Sequence, residues 1–407
     1  MPRNEKSRWE AVSETLMRTV LGLDPDKLVA CVSCGLCLPH CPTYRATEEE
    51  SASPRGRIAL MRAVEAGELA IDEDFVRFME RCVMCRGCET ACPSAVQFGA
   101  LMEQTRVTLG SQRRIGSRWM RLALKPLGHH RLLLVGSSAL GVLQRLRMIP
   151  MSVQQRLGLP ARIPIRRAPL GPLSDRPTDA WLYTGCVMDA WQRDVHNAAL
   201  RVMAATGANV NVPDGQGACC GALHVHLGLG GDARRLALRT MAAFPGDAPI
   251  VVDSAGCGAQ LKDYGHLLGT EAARVFSARV RDVGEWLAPR MNTLRISKRF
   301  GSVVAIQDPC HLRHVQRAHL PWRIVLSAVA DTAELDDDGR CCGAGGSYSI
   351  TQPELAGSIR DTKVEAIRRT GAPIVASANP GCSMWLSGAG LDVRHPIQIV
   401  DEVLHGS

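Results

Sequence analysis

The sequence offers no long uninterrupted hydrophobic run, which argues against a spanning helix. The apolar stretch inside RLLLVGSSALGVLQRLRMIP is too short to cross a bilayer. The start, MPRNEKSRWEAVSETLMRTV, carries charge throughout and has no apolar core segment, so we expect no export signal and a cytoplasmic protein. A disulfide framework is not expected in that compartment. Motifs of common active sites are missing as well. GLGGD does not follow a strand signal and lacks the G-x-G-x-x-G spacing of a dinucleotide site, and there is no G-x-S-x-G elbow or H-E-x-x-H pair. Acidic residues are absent between Gln104 and Ser174, although that stretch holds 13 of the 48 Lys and Arg. The net charge of +8 thus belongs to one segment, and the remainder is net acidic. A helix on an anionic membrane surface or a connector packed on an acidic partner would both use such a segment.

Cysteine is what the sequence has in excess, with 16 in 407 residues. Grouped thiols in a cytosolic chain point to metal or redox chemistry. Two runs, CVSCGLCLPHCP and CVMCRGCETACP, share the spacing C-x-x-C-x-x-C-x-x-x-C-P. This is the bacterial two-cluster ferredoxin pattern, in which three close cysteines hold one cluster and the fourth reaches the other. Cys31, Cys34, Cys37 and Cys92 are expected to hold one [4Fe–4S] cluster, and Cys82, Cys85, Cys88 and Cys41 a second. Structural zinc favours paired C-x-x-C on a long spacer and fits the double ladder poorly. Gly35 and Gly87 would let backbone N–H groups approach the inorganic sulfurs, or serve only as tight turns. Helices are expected in SPRGRIALMRAVEAG, with Ser53 as N-cap and Pro54 in the first turn, and in DEDFVRFMERC.

The other eight cysteines form a repeat. One copy has Cys186, then Cys219-Cys220-Gly221, then Cys257; the other has Cys310, then Cys341-Cys342-Gly343, then Cys382. Lone cysteine to pair spans 33 and 31 residues, and pair to last cysteine 37 and 40. AWLYTG, APIVVDSAG, SVVAIQDP and APIVASANPG read as strands delivering the four lone cysteines, and helical segments such as DVHNAALRVMAATG lie between. That alternation predicts parallel α/β modules with the thiols beyond the strand ends, where such sheets bind ligands. The expected organisation is multidomain: a mainly α-helical dicluster ferredoxin-like domain over 1–105, a basic linker or adaptor over 106–175, and α/β cysteine-rich modules over 176–295 and 296–407. The repeated thiols could hold further iron–sulfur clusters or zinc, or pack as buried side chains. His226 and His314 lie near them in sequence and are candidates as ligands, proton carriers or hydrogen-bond donors to a quinone; Asp308, beside Cys310, receives no separate role.

With SPRGRI, GCVMD, GACCGALHVHLG, SAGCGAQLKDYG, DPCHLRHVQ, CCGAGGSYSITQPELA and ANPGCSMWL added to the two ladders, almost the whole chain resembles the iron–sulfur subunits of bacterial glycolate oxidase. The ladders and CCG motifs are shared with subunits of anaerobic glycerol-3-phosphate dehydrogenase, lactate-utilisation proteins and heterodisulfide reductase. The resemblance implies an electron-transfer subunit. A partner carrying FAD would oxidise glycolate to glyoxylate, and this chain would pass electrons to an acceptor such as membrane quinone, on the inner face of the cell membrane. Heterodisulfide-reductase relatives have a fifth cysteine per CCG module; here those positions are Ser254 and Asn379. That departure weighs against a thiol–disulfide reductase.

Overall fold

The structure is a computed structural model that describes residues 20–116, 118–156, 158–171, 177–213 and 219–406. The chain packs as two compact units, one from residues 1–84, 88–117 and 225–229, the other from 85–87, 118–224 and 230–407.

The described part of the first unit is helical and contains no strand. Helix Pro54–Glu65 begins where the Ser53 hydroxyl accepts the Gly56 N–H at 2.9 Å, with Pro54 fixing the first turn. Asp72 caps Glu73–Glu80 through the Phe75 N–H at 2.8 Å, and that helix delivers Cys82. Ile58 and Met61, spaced three apart on one helix face, meet Phe75, Met79, Leu101 and Met102 in the core, which also takes in Cys82 and Cys88. Cys41 is the N-cap of helix Pro42–Thr47, and Pro42 sets its first turn.

The second unit holds two four-stranded parallel sheets of the same topology. Strands β1 (Ala180–Tyr183), β2 (Val210–Asn211), β3 (Ile250–Val252) and β4 (Val280–Asp282) are ordered β2-β1-β3-β4. Strands β5 (Val304–Gln307), β6 (Thr332–Glu334), β7 (Ile374–Ser377) and β8 (Asp392–Arg394) are ordered β6-β5-β7-β8. The central strands are mainly apolar and buried, as parallel sheets require, and the polar ends of β5 and β7 meet through the Ser377 hydroxyl donating to Gln307 at 2.6 Å. Both modules share one core, running from Leu182 and Val251 to Ile306, Trp322 and Ile399. Backbone also crosses between them, with the Ala255 N–H donating to the Ala378 carbonyl at 2.9 Å.

The described basic segment from 118 onward belongs to this second unit. Asp189, 1% exposed, anchors it by accepting from His130 (2.8 Å) and Arg167 (2.5 Å) as well as from Arg193 (2.6 Å). Burial opposes the Asp189 charge, yet those three partners hold its carboxyl well below the usual carboxylate range. Helix His130–Arg145 leaves Leu132, Val135, Val142 and Leu143 exposed. Among the described residues no helix is long and apolar enough to cross a membrane.

Candidate metal centres

The two ladders share an unusual backbone. Ser33 and Gly35 have φ of 58° and 85°, and the residues at matching points of the second ladder, Met84 and Arg86, have 60° and 59°. Three non-glycine residues are held left-handed at equivalent positions, a conformation that is costly for such residues and repeats between the two loops. The counterpart of Gly35 is Arg86, and Gly87 opens the short helix Gly87–Thr90. At Gly35 itself a Cβ would lie 2.7 Å from the Arg55 guanidinium.

Cys31, Cys34, Cys37 and Cys92 line one cavity, together with Gly35, Arg55 and Val96. The fourth thiol comes from the second ladder, 55 residues beyond Cys37 in the chain. Burial pushes the Cys37 thiol up to about 11, against the backbone N–H groups that favour its thiolate. Four thiols in one lining, with no carboxylate or imidazole among them, suit an iron–sulfur core, whose irons supply the positive charge that thiolates need. Cys41, Cys82, Cys85 and Cys88 are buried. The Cys41 Sγ lies 3.2 Å from the Thr43 hydroxyl.

In each module the two lone cysteines follow the two adjacent central strands. Cys186 and Cys310 come three residues after β1 and β5, and Cys257 and Cys382 five residues after β3 and β7. The order 2-1-3-4 puts the point where the chain changes side between those strands, which is where open α/β sheets bind ligands. The cysteine pair completes the group. In the first module Cys220 and Cys257 sulfurs are 3.4 Å apart, and Cys186 bonds Cys219. In the second, Cys342–Cys382 is 2.9 Å and Cys310–Cys341 4.0 Å. Among the described residues no group of three or more His, Cys, Asp and Glu side chains meets the geometry of a bound metal ion, although the thiols of the first module touch in the series Cys186, Cys219, Cys220, Cys257.

The glycine of each CCG motif is structural. Gly221 and Gly343 are left-handed at φ 88° and 86°, and the Gly343 N–H points at the Cys341 sulfur at 3.3 Å. A Cβ on Gly343 would stand 2.5 Å from the Ala356 carbonyl oxygen. Cys219 is the thiol whose titration is pulled lowest in its group, by hydrogen bonds from Cys186, Cys220 and His224 and from the Gly221 N–H.

His224, rather than His226, therefore faces the thiols of the first module. On helix Ala222–His226 two residues are about 200° of rotation, so the two rings leave on opposite sides. His226 falls in the segment grouped with the first unit, where its carbonyl accepts from Arg106 at 2.8 Å. The second module has Gly346 at the matching position after its CCG. His314 turns its Nε2 to the Gly339 carbonyl at 3.1 Å, and burial pushes its titration down to about 4. Asp308 pairs with Arg313 and Arg323. Asn379 donates through Nδ2 to the Cys382 sulfur at 3.4 Å and accepts the Gly256 N–H at 3.0 Å, bridging the cysteine segments of the two modules.

Two thiol ladders on a helical domain, followed by two thiol-bearing α/β modules, define a class of iron–sulfur electron carrier. Residues 27–96 match the 4Fe-4S dicluster domain family, and residues 180–262 and 304–387 match the cysteine-rich domain family. The chain is 33% identical to the probable glycolate oxidase iron-sulfur subunit of Bacillus subtilis (strain 168), over 89% of each chain. It is 30% identical to the glycolate oxidase iron-sulfur subunit of Escherichia coli (strain K12), over 97% of this chain and 98% of that one. A component of the dihydromethanophenazine:CoB–CoM heterodisulfide reductase of Methanosarcina barkeri (strain Fusaro) is 26% identical over 93% of this chain and 92% of its own. The chain belongs to the family of glycolate oxidase iron–sulfur subunits. It is an iron–sulfur electron-transfer subunit of a multi-subunit oxidoreductase.

Proposed function

We propose that this chain is the non-catalytic electron-transfer subunit of a glycolate dehydrogenase, which carries electrons from an FAD-containing partner to membrane quinone. Residues 1–105 are the dicluster domain, 106–175 the basic adaptor, and 176–295 and 296–407 the two cysteine-rich modules. The cavity lined by Cys31, Cys34, Cys37 and Cys92 carries the reading, because it draws three thiols from one ladder and the fourth from the other. By the same crossing, Cys82, Cys85, Cys88 and Cys41 hold the second [4Fe–4S] cluster. When bound, such clusters supply reversible one-electron transfer. The thiolates hold the iron, and the left-handed turns at Ser33, Gly35, Met84 and Arg86 shape the loops around it.

Cys186, Cys219, Cys220 and Cys257, and Cys310, Cys341, Cys342 and Cys382, hold additional metal, as clusters or zinc. Supporting this is their gathering at the switch point of each sheet. The Asn379 amide on Cys382 sits where a disulfide-reducing relative would have a thiol, which favours electron transfer over thiol chemistry. The exposed apolar side chains of His130–Arg145, with Arg131 and Arg145 beside them, support peripheral contact with the inner face of the cell membrane.

Co-purification with the flavin partner under anaerobic conditions tests the reading. Glycolate should bleach the cluster absorbance of the complex and leave that of the isolated chain unchanged. A complex bleached by D-lactate or glycerol 3-phosphate and not by glycolate would assign it to a related dehydrogenase.

A further inference from the structure

The first unit contains an internal symmetry that its sequence does not display. Arg62 donates through Nε and Nη2 to the Leu28 carbonyl, at 3.1 and 2.5 Å, and through Nη2 to the Cys31 carbonyl at 2.6 Å. Arg106 donates to the Met79 carbonyl at 3.3 and 2.7 Å and to the Cys82 carbonyl at 2.6 Å. Leu28 and Cys31 are the equivalents of Met79 and Cys82 in the two ladders. Each ladder thus has a guanidinium clamped onto the carbonyl of its first cysteine and the carbonyl three residues before it.

The two clamps differ in their surroundings. Arg106 is 6% exposed, whereas Arg62 is only partly buried. Arg106 also feels the Glu80 carboxylate, which offsets part of its charge. A second buried cation serves the same ladder pair. Arg57, fully buried, donates to the Ala52 carbonyl at 2.5 Å and to the Thr43 hydroxyl at 3.2 Å, and Thr43 touches the Cys41 sulfur. At the other cavity the additional cation is Arg55, which is partly exposed and paired with Glu50 at 2.6 Å. Guanidinium groups stay charged at any accessible pH, and their field is stronger in a dry, low-dielectric setting than near water. An electron added to a site beside a buried fixed cation is stabilised more than one beside a half-exposed or neutralised cation.

We infer that Arg106 and Arg62 are positioning residues that set the two potentials apart, the centre at Cys82, Cys85, Cys88 and Cys41 being the more easily reduced. This rests on the ligand assignment proposed above. It gives the pair a direction: electrons pass from the centre at Cys31, Cys34, Cys37 and Cys92 to the other. No bond forms or breaks, and the electron comes from the flavin partner.

The test is an EPR-monitored redox titration of the full-length chain purified anaerobically, as wild type, Arg106→Gln, Arg106→Lys and Arg62→Gln. The two signals are assigned by their loss in Cys41→Ser and Cys92→Ser. Arg106→Gln should lower only the higher potential, changing the reduced-to-oxidised ratio at fixed potential about tenfold, or about 59 mV for a one-electron couple. Arg62→Gln should lower only the other, by less, and Arg106→Lys, which keeps the charge, should shift less than Arg106→Gln. Unmoved potentials in variants that keep at least eight irons would overturn the inference alone. So would a wild type in which the signal lost in Cys41→Ser has the lower potential. Should Arg106→Gln not assemble, a shift of the higher potential in Arg62→Gln, or a drop in Arg106→Lys as large as that expected for the neutral variant, would overturn it. A wild type with fewer than eight irons would overturn the ligand assignment and the inference with it.

Discussion

Asp282 is a buried acid with an unusual titration, and replacing it isolates one energetic term. The residue ends β4 and caps the helix Val283–Leu287. Its Oδ1 accepts from the Gly284 N–H at 2.8 Å and from Trp322 Nε1 at 2.9 Å, while Oδ2 has no hydrogen-bond partner. Burial, with Glu285 adding to it, pushes the carboxyl up from 3.8 to about 7. A raised acid pKa means that the folded state binds the proton more tightly than the unfolded chain. Stability from this group is therefore present below the unfolded value, declines as pH rises from about 4 to about 7, and is flat above. Three pKa units correspond to about 4 kcal/mol over the full window, and pH 5 to pH 8 covers about 3 kcal/mol of it. Asp282→Asn keeps Oδ1 as cap and as acceptor for Trp322 but cannot ionise. The assay is anaerobic urea unfolding of both proteins at pH 5, 6.5 and 8, comparing the difference between them so that other groups cancel. That difference should move in favour of the Asn variant by about 3 kcal/mol between pH 5 and pH 8. A difference that does not change with pH would refute the reasoning.

Two further perturbations probe the second unit. Asp189→Ala strands His130, Arg167 and Arg193, and should cost about 3 kcal/mol because it leaves cations around an emptied buried site. Limited trypsin digestion should then cut within 118–167 much faster than in wild type, and unchanged cutting would count against the anchor. Since the Asp189 pKa is depressed, its contribution should be present above pH ~4 and fade as pH falls below that, which urea unfolding at pH 3 and pH 6 would reveal. Gly343→Ala puts a Cβ against the Ala356 carbonyl at a left-handed residue. It should destabilise the second module by about 2 kcal/mol, and a variant as stable as wild type in urea would show that the turn can relax.

How far the sequence foretold this structure varies with the kind of signal. β1, β3, β5 and β7 were legible because each is a buried apolar run closed by turn residues. Their partners were not: Val210–Asn211 has two residues, and Thr332–Glu334 and Asp392–Arg394 carry polar side chains at sheet edges. The Ser53 cap and the Pro54 start were readable from local chemistry alone. His226 was singled out for its place after the first CCG motif, whereas the side chain that meets Cys219 is that of His224, two residues nearer. Counting from the first cysteine of each ladder makes Arg86, not Gly87, the counterpart of Gly35. The anchor at Asp189 was hidden because the basic run was read without its acceptor, which lies outside it. The arginine clamps escaped for a geometric reason: the cysteines repeat with an offset of 51 and the arginines with one of 44.

The central claim is that two crossed sets of thiols in this chain hold two clusters. Iron and acid-labile sulfide per chain, measured on anaerobically purified wild type, Cys41→Ser and Cys92→Ser, test it most directly. Wild type should hold at least eight irons and eight sulfides, with each variant losing about four of each and a different EPR signal. Zinc in place of iron, or both variants abolishing the same signal, would contradict it.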